Sequence, residues 1–169
     1  MMMPRGLCAD RVNGRGQAVK QAVIREQVIE RNIWIDRPRE RVWAAVTDPG
    51  QIMHWFAPDT AAVPVRQDEN GKLTVYAGDM AIDIAVIEVC EPPRYFTTRS
   101  LPDRVLTTRY WLDEVRGGTQ VTVRMGGLEA LPPEVRQQHL EVDTVGWEQA
   151  LKNLEAYVCG LPVPFPQGF

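Results

Sequence analysis

The sequence predicts an α+β domain in which a curved antiparallel sheet of about six to seven strands wraps around a long C-terminal helix. Three observations carry this expectation. Between Ala62 and Met125, short runs rich in Val, Ile, Thr and aromatic residues alternate with Gly, Pro, Asn and Asp, as successive strands and tight turns do. From Glu134 to Cys159 the longest uninterrupted segment places Leu140, Trp147, Leu151, Leu154 and Val158 on one stripe at helical spacing. A two-residue turn at Gly117-Gly118 would set Arg116 opposite Thr119, Leu112 opposite Val123 and Tyr110 opposite Met125, which makes one sheet face apolar. Trp111 would then oppose Arg124 on a polar, wet face, and a sheet with one wet face is antiparallel more often than parallel.

The elements follow in order. Residues 1–26 are rich in Arg and Gly with little periodicity, and read as a poorly ordered extension before a domain over 27–160 and a tail over 161–169. Gln27 to Asp36 is a strand by its Ile, Val and Trp content, with Ile29, Ile33 and Ile35 on one face. Asp36, near Pro38, is placed to cap a short helix that ends by Thr47. After Asp48-Pro49-Gly50, a second short helix carries Ile52, Met53, Trp55 and Phe56 and stops before Pro58. Strands are expected at 62–67, 73–77, 81–90, 95–99, 105–113 and 119–125, with a type I′ turn at Asn70-Gly71 and a tight turn at Leu101-Pro102-Asp103. Gly160-Leu161-Pro162 terminates the last helix, whose 26 residues at about 1.5 Å each can cover a whole sheet.

Composition narrows the function classes. A chain of 169 residues can bury a full core as one domain without metals or disulfides. The net charge of -3 would repel a phosphate backbone, so nucleic acid is not an expected partner. Cys8, Cys90 and Cys159 show no ligand-like spacing and read as reduced thiols. With no apolar h-region and no run of about 18 apolar residues, a cytoplasmic location without membrane partners is expected.

Candidate chemistry is sparse. Ser100 is the sole serine and neither His54 nor His139 lies in a triad motif, so a hydrolase is not favoured. Two separated histidines and three scattered thiols do not make a tetrahedral metal set, and phosphate-cradling glycine loops are absent, so no cofactor is expected. Gly146 is costly inside a helix, by about 1 kcal/mol relative to Ala, and either admits a close-packed neighbour or leaves cavity volume beside Trp147. His139, Asp143 and Trp147 form an i, i+4, i+8 row on the edge of the apolar stripe that Leu151 continues. That row is either a solvated helix edge or a polar wall that orients a ligand, with Asp143 or His139 conceivable as a general base. Tyr110, on the predicted inner face, either packs in the core or offers its hydroxyl to a ligand.

Local wording identifies a family resemblance. The segment DRPRERVWAAVTDPGQIMHWFAP is similar to the opening of proteins named after the activator of the heat-shock-protein-90 ATPase, and GWEQALKNLEAYV is similar to their closing helix. These proteins belong to the START-like, or SRPBCC, superfamily, so the resemblance implies a helix-grip fold over about residues 28–159. It also implies that Trp55 and Phe56 stand near a cavity entrance or plug the core, and that Asp143 replaces a histidine that many relatives carry. Relatives include ligand carriers, cyclases, chaperone co-factors and homodimers, and fold does not choose among them. The leading expectation is binding of a small hydrophobic molecule, aromatic or lipid-like, by Trp55, Phe56, Tyr110, His139, Asp143, Trp147 and Leu151. The alternatives are a chaperone-ATPase co-factor, although such activators normally carry a further N-terminal domain not seen in these residues, and a cyclase- or dehydratase-like enzyme.

Overall fold

The computed structural model describes residues 27–60 and 63–168. The extension expected at 1–26 therefore lies outside the described residues. Strand β1 (Ile29–Ile35) leads to helices α1 (Arg39–Thr47) and α2 (Pro49–Phe56). Six further strands follow: β2 (Val65–Gln67), β3 (Lys72–Ala77), β4 (Met80–Glu91), β5 (Tyr95–Ser100), β6 (Thr107–Val115) and β7 (Gly118–Gly126). Helix α3 (Pro133–Val158) closes the domain. All strands pair antiparallel in one sheet of order β1-β7-β6-β5-β4-β3-β2. This is the helix-grip arrangement. Among the described residues no helix is long and apolar enough to cross a membrane.

The β6–β7 register corrects the expected pairing. Arg116 and Gly117, both at positive φ, form the turn, so Val115 faces Gly118, Leu112 faces Val121, Tyr110 faces Val123 and Trp111 faces Thr122. Positive φ at two successive central residues is what a type I′ hairpin needs. Gly118 instead sits in the strand, because a Cβ there would come within 2.4 Å of the Ile35 carbonyl and 2.7 Å of the Trp34 ring. The shift is two residues, and side chains alternate with period two, so the same set still faces inward.

Two local expectations also change. Asp36 does not cap α1, whose N-cap is Pro38 with no side-chain hydrogen bond; Asp48 instead caps α2, accepting from the Gly50 amide at 2.9 Å with Pro49 at the first turn. At Asn70-Gly71 the loop is a type I turn followed by left-handed Gly71. Asp68 Oδ1 fixes it by accepting from the amides of Asn70 and Lys72. That carboxylate satisfies two loop amides at once, which favours the longer loop over a two-residue turn.

The core lies between α3, α1 and the β1-β7-β6 side of the sheet. Ile35, Val42, Ala45, Leu112, Val121, Leu128, Ala150 and Leu154 are all buried there. Helix α3 begins on Pro132-Pro133, which suit a first turn. It ends in a Schellman arrangement: Leu161 N–H donates to Ala156 O at 2.8 Å and Gly160 N–H to Tyr157 O at 3.1 Å, with Gly160 at φ 72. The segment beyond is tied down. Asn153, fully buried on α3, donates from Nδ2 to Phe165 O and Trp55 O, and its Oδ1 accepts from the Phe165 amide.

Candidate functional site: a cavity beneath the long helix

Strand β4 departs from regular pairing twice, and both departures matter for the site. Leu73 pairs with Ala85 while Thr74 pairs with Asp83, and Ile87 pairs with Thr98 while Val89 pairs with Thr97, so Ile84 and Glu88 are each an extra residue. Such bulges bend a strand and re-aim its side chains. Ile84, Ala85 and Ile87 thereby all line a half-open cavity of about 440 Å³ bordered by residues of α1, α2, β3–β7 and α3. The volume falls within the range of small-molecule sites.

One end of the cavity is aromatic. Phe96 and Tyr110, paired across β5 and β6, stack with ring centroids 4.2 Å apart. Trp147 meets Tyr110 edge-on at 5.9 Å and Phe56 at 5.8 Å, and Phe56 in turn meets Trp55 at 5.8 Å. Such edge-to-face contacts are the favoured aromatic geometry and hold the rings in place. Trp55 is fully buried with its indole N–H donating to Ala45 O at 2.8 Å, so it supports the wall as core. Burial raises the Tyr110 phenol above its ordinary value, and no hydrogen bond from its hydroxyl to another described residue is formed.

The other end is polar. Along α3, one turn per step from Trp147, come Asp143 and His139, both lining the cavity. His139 Nδ1 and Asp143 Oδ2 lie 2.6 Å apart, Asp143 being buried and the His139 side chain one-third exposed. Facing them on the sheet are Thr98, Thr108 and Ser100. The Ser100 hydroxyl donates to Asp103 Oδ1 at 2.9 Å and accepts from the Leu106 amide at 3.0 Å. Asp103 is held below the usual carboxylate value chiefly by the Val105 amide, then by the Ser100 hydroxyl. Ser100 is thus engaged in shaping the β5–β6 turn, its hydroxyl proton directed at Asp103 and not at a histidine.

The predicted site residues separate into two groups. Trp55, Phe56, Tyr110, His139, Asp143 and Trp147 all line the cavity, whereas Leu151 is buried among core residues away from it. The i+4 step from Trp147 carries Leu151 past the cavity and into the buried core cluster. Gly146 is buried and is not among the residues that border the cavity. Sequence reasoning missed the lining residues of β3 to β5, among them Leu73, Val75, Ile84, Ile87, Phe96 and Thr98. Alternation along Phe96, Thr98 and Ser100 could have pointed to the β5 trio, but the β4 bulges leave no sequence signal. Among the described residues no group of His, Cys, Asp and Glu is placed to hold a metal ion.

Residues 36–159 match the family described as "Activator of Hsp90 ATPase homolog 1-like protein". The solution structure of CalU16 from Micromonospora echinospora is 29% identical, with a TM-score of 0.60 over 84% of this chain and 72% of that one. Two others show the same fold at lower identity. The AHSA1-like protein from Aeromonas hydrophila is 22% identical, with a TM-score of 0.58 over 79% of this chain and 93% of its own. Protein MLL2253 from Mesorhizobium loti is 16% identical, with a TM-score of 0.62 over 79% and 97%. No curated protein matches the chain.

Proposed function

The chain belongs to the Activator of Hsp90 ATPase homolog 1-like family, and from that premise we propose that it binds a small hydrophobic molecule, aromatic or lipid-like, between α3 and the sheet. The carrying observation is the unfilled space itself. Protein interiors normally pack with few voids larger than a water molecule, and the side chains that border this half-open space of about 440 Å³ forgo packed contacts on that side. A ligand would restore them. Its walls suit that role: Val46, Ile52, Met53, Leu73, Val75 and Ile87 offer apolar surface, and the ring cluster offers flat faces and edges.

Binding without chemistry is the reading the polar groups favour. Ser100 is committed to Asp103 and Leu106, and the histidine-carboxylate pair has no nucleophile within the described hydrogen bonds. Native mass spectrometry of freshly purified protein provides the test. A bound species of a few hundred daltons, released on denaturation and apolar by chromatography, is the expected result. Protein that emerges at its bare mass from every preparation, and stays so after incubation with extracted cell lipids and aromatic metabolites, would contradict the proposal.

A further inference from the structure

We infer that the cavity's polar end selects a ligand bearing a neutral hydrogen-bond donor, a phenol or alcohol O–H, and rejects carboxylates. This rests on the binding function proposed above and specifies the ligand's chemical class.

The first observation is the His139–Asp143 contact of 2.6 Å, made through Nδ1. A carboxylate only accepts hydrogen bonds, so a neutral imidazole facing it must carry its proton on Nδ1. The same bond fixes the ring's orientation, as carboxylates do for histidines in other sites. Nε2 is then a lone-pair acceptor on a residue that lines the cavity. A ligand O–H can donate to it.

The second observation is charge. No lysine or arginine is among the described residues lining the cavity, while Asp143, buried to 7% exposure, is. With His139 in its neutral form, a carboxylate guest would have to leave water with no cation to meet it and a buried carboxylate nearby, which is unfavourable on both counts. A fatty acid is therefore the wrong guest, and a neutral amphiphile the right one. The third observation is shape. The polar row runs along α3 directly from Trp147, so a flat apolar body among Trp147, Tyr110 and Phe56 would point its substituent toward Asp143 and His139.

Calorimetric titration at pH 8 with four naphthalenes separates the possibilities: naphthalene, 2-methoxynaphthalene, 2-naphthol and 2-naphthoate. The inference predicts that 2-naphthol binds about three- to tenfold tighter than naphthalene, the range expected for one net hydrogen bond. It also predicts that 2-methoxynaphthalene, which only accepts, gains nothing, and that 2-naphthoate is the weakest. In the double variant His139→Leu/Asp143→Leu, which removes both partners and leaves no buried orphan, the naphthol-to-naphthalene ratio should fall to about one. If that variant does not fold, Asp143→Asn serves. Its amide can either donate to Nδ1 or accept from it and so no longer fixes the tautomer, and the preference for naphthol over the methoxy compound should shrink. Equal affinity for naphthol and naphthalene, or a preference for naphthoate, overturns this inference while leaving the cavity reading intact. Failure of all four to bind overturns both.

Discussion

The two halves of the sheet are built differently. On the β1-β7-β6 side, Ile35, Leu112 and Val121 are buried in the core with no exposure, and of these strands' described residues Thr108, Tyr110 and Met125 alone border the cavity. On the β2-β3-β4 side the inward residues border the cavity, and β4 leaves Met80, Ile82 and Ile84 at 62%, 48% and 37% exposure. The first half holds itself together by burial. The second draws on polar links: Lys72 to Asp83, Thr74 to Asp83, and Glu88 to both Arg99 and Arg104. A single sheet can thus serve as both scaffold and receptacle, because one long helix spans only part of its width.

Truncation on each side should separate the two most strongly. Leu112→Ala removes a fully buried side chain from dense packing and should cost about 3 kcal/mol in denaturant unfolding. Ile84→Ala, on the open half, should cost about 1 kcal/mol, since its side chain already faces cavity and solvent. Equal losses would show that the open half is packed as tightly as the other and would break the contrast.

A smaller effect should appear in acid. The Arg99 hydrogen bond, and less so Arg104, holds the Glu88 carboxyl below its ordinary value; the Thr74 hydroxyl, then Lys72, does the same for Asp83. A depressed carboxyl contributes stability that is complete above its unfolded value and lost as pH falls through its folded one. Below the ordinary carboxylate range of about 4, amides of β3 to β5 should therefore lose exchange protection before those of β6 and β7, after correction for intrinsic rates. Glu88→Gln should remove its share of this pH dependence. Simultaneous loss of protection across all strands would contradict the two-part picture.

The same division explains what was legible in the sequence. The filled half is written in periodicity: the α3 stripe through Trp147, Leu151 and Leu154, and the alternation of β6 and β7, are local patterns that burial enforces. Even the turn misplaced at Gly117-Gly118 preserved the inward face, since an error of two residues keeps side-chain parity. The His139–Asp143–Trp147 row was visible for the same reason, being fixed by helical spacing, and Tyr110 through the alternation of β6. Long-range features were not. Gly118 is dictated by the approach of Trp34 and Ile35 from β1, and Asn153 by a C-terminal segment that crosses α2 and α3. Ile84 lines the cavity as the extra residue of a β4 bulge that no local pattern announces. Leu151 fits the stripe yet misses the cavity, because burial on a helix does not distinguish a side chain that fills space from one that borders it.

The central claim is that the space under α3 accepts an apolar guest. Titration with N-phenyl-1-naphthylamine, whose fluorescence rises on leaving water, tests it most directly when run on the wild type beside Thr98→Phe, which puts a ring into the cavity from the β5 wall. The account predicts saturable one-to-one enhancement in the wild type and its loss in a Thr98→Phe protein that unfolds at the same denaturant concentration. Enhancement of equal size and affinity in both would place the dye elsewhere and contradict the claim.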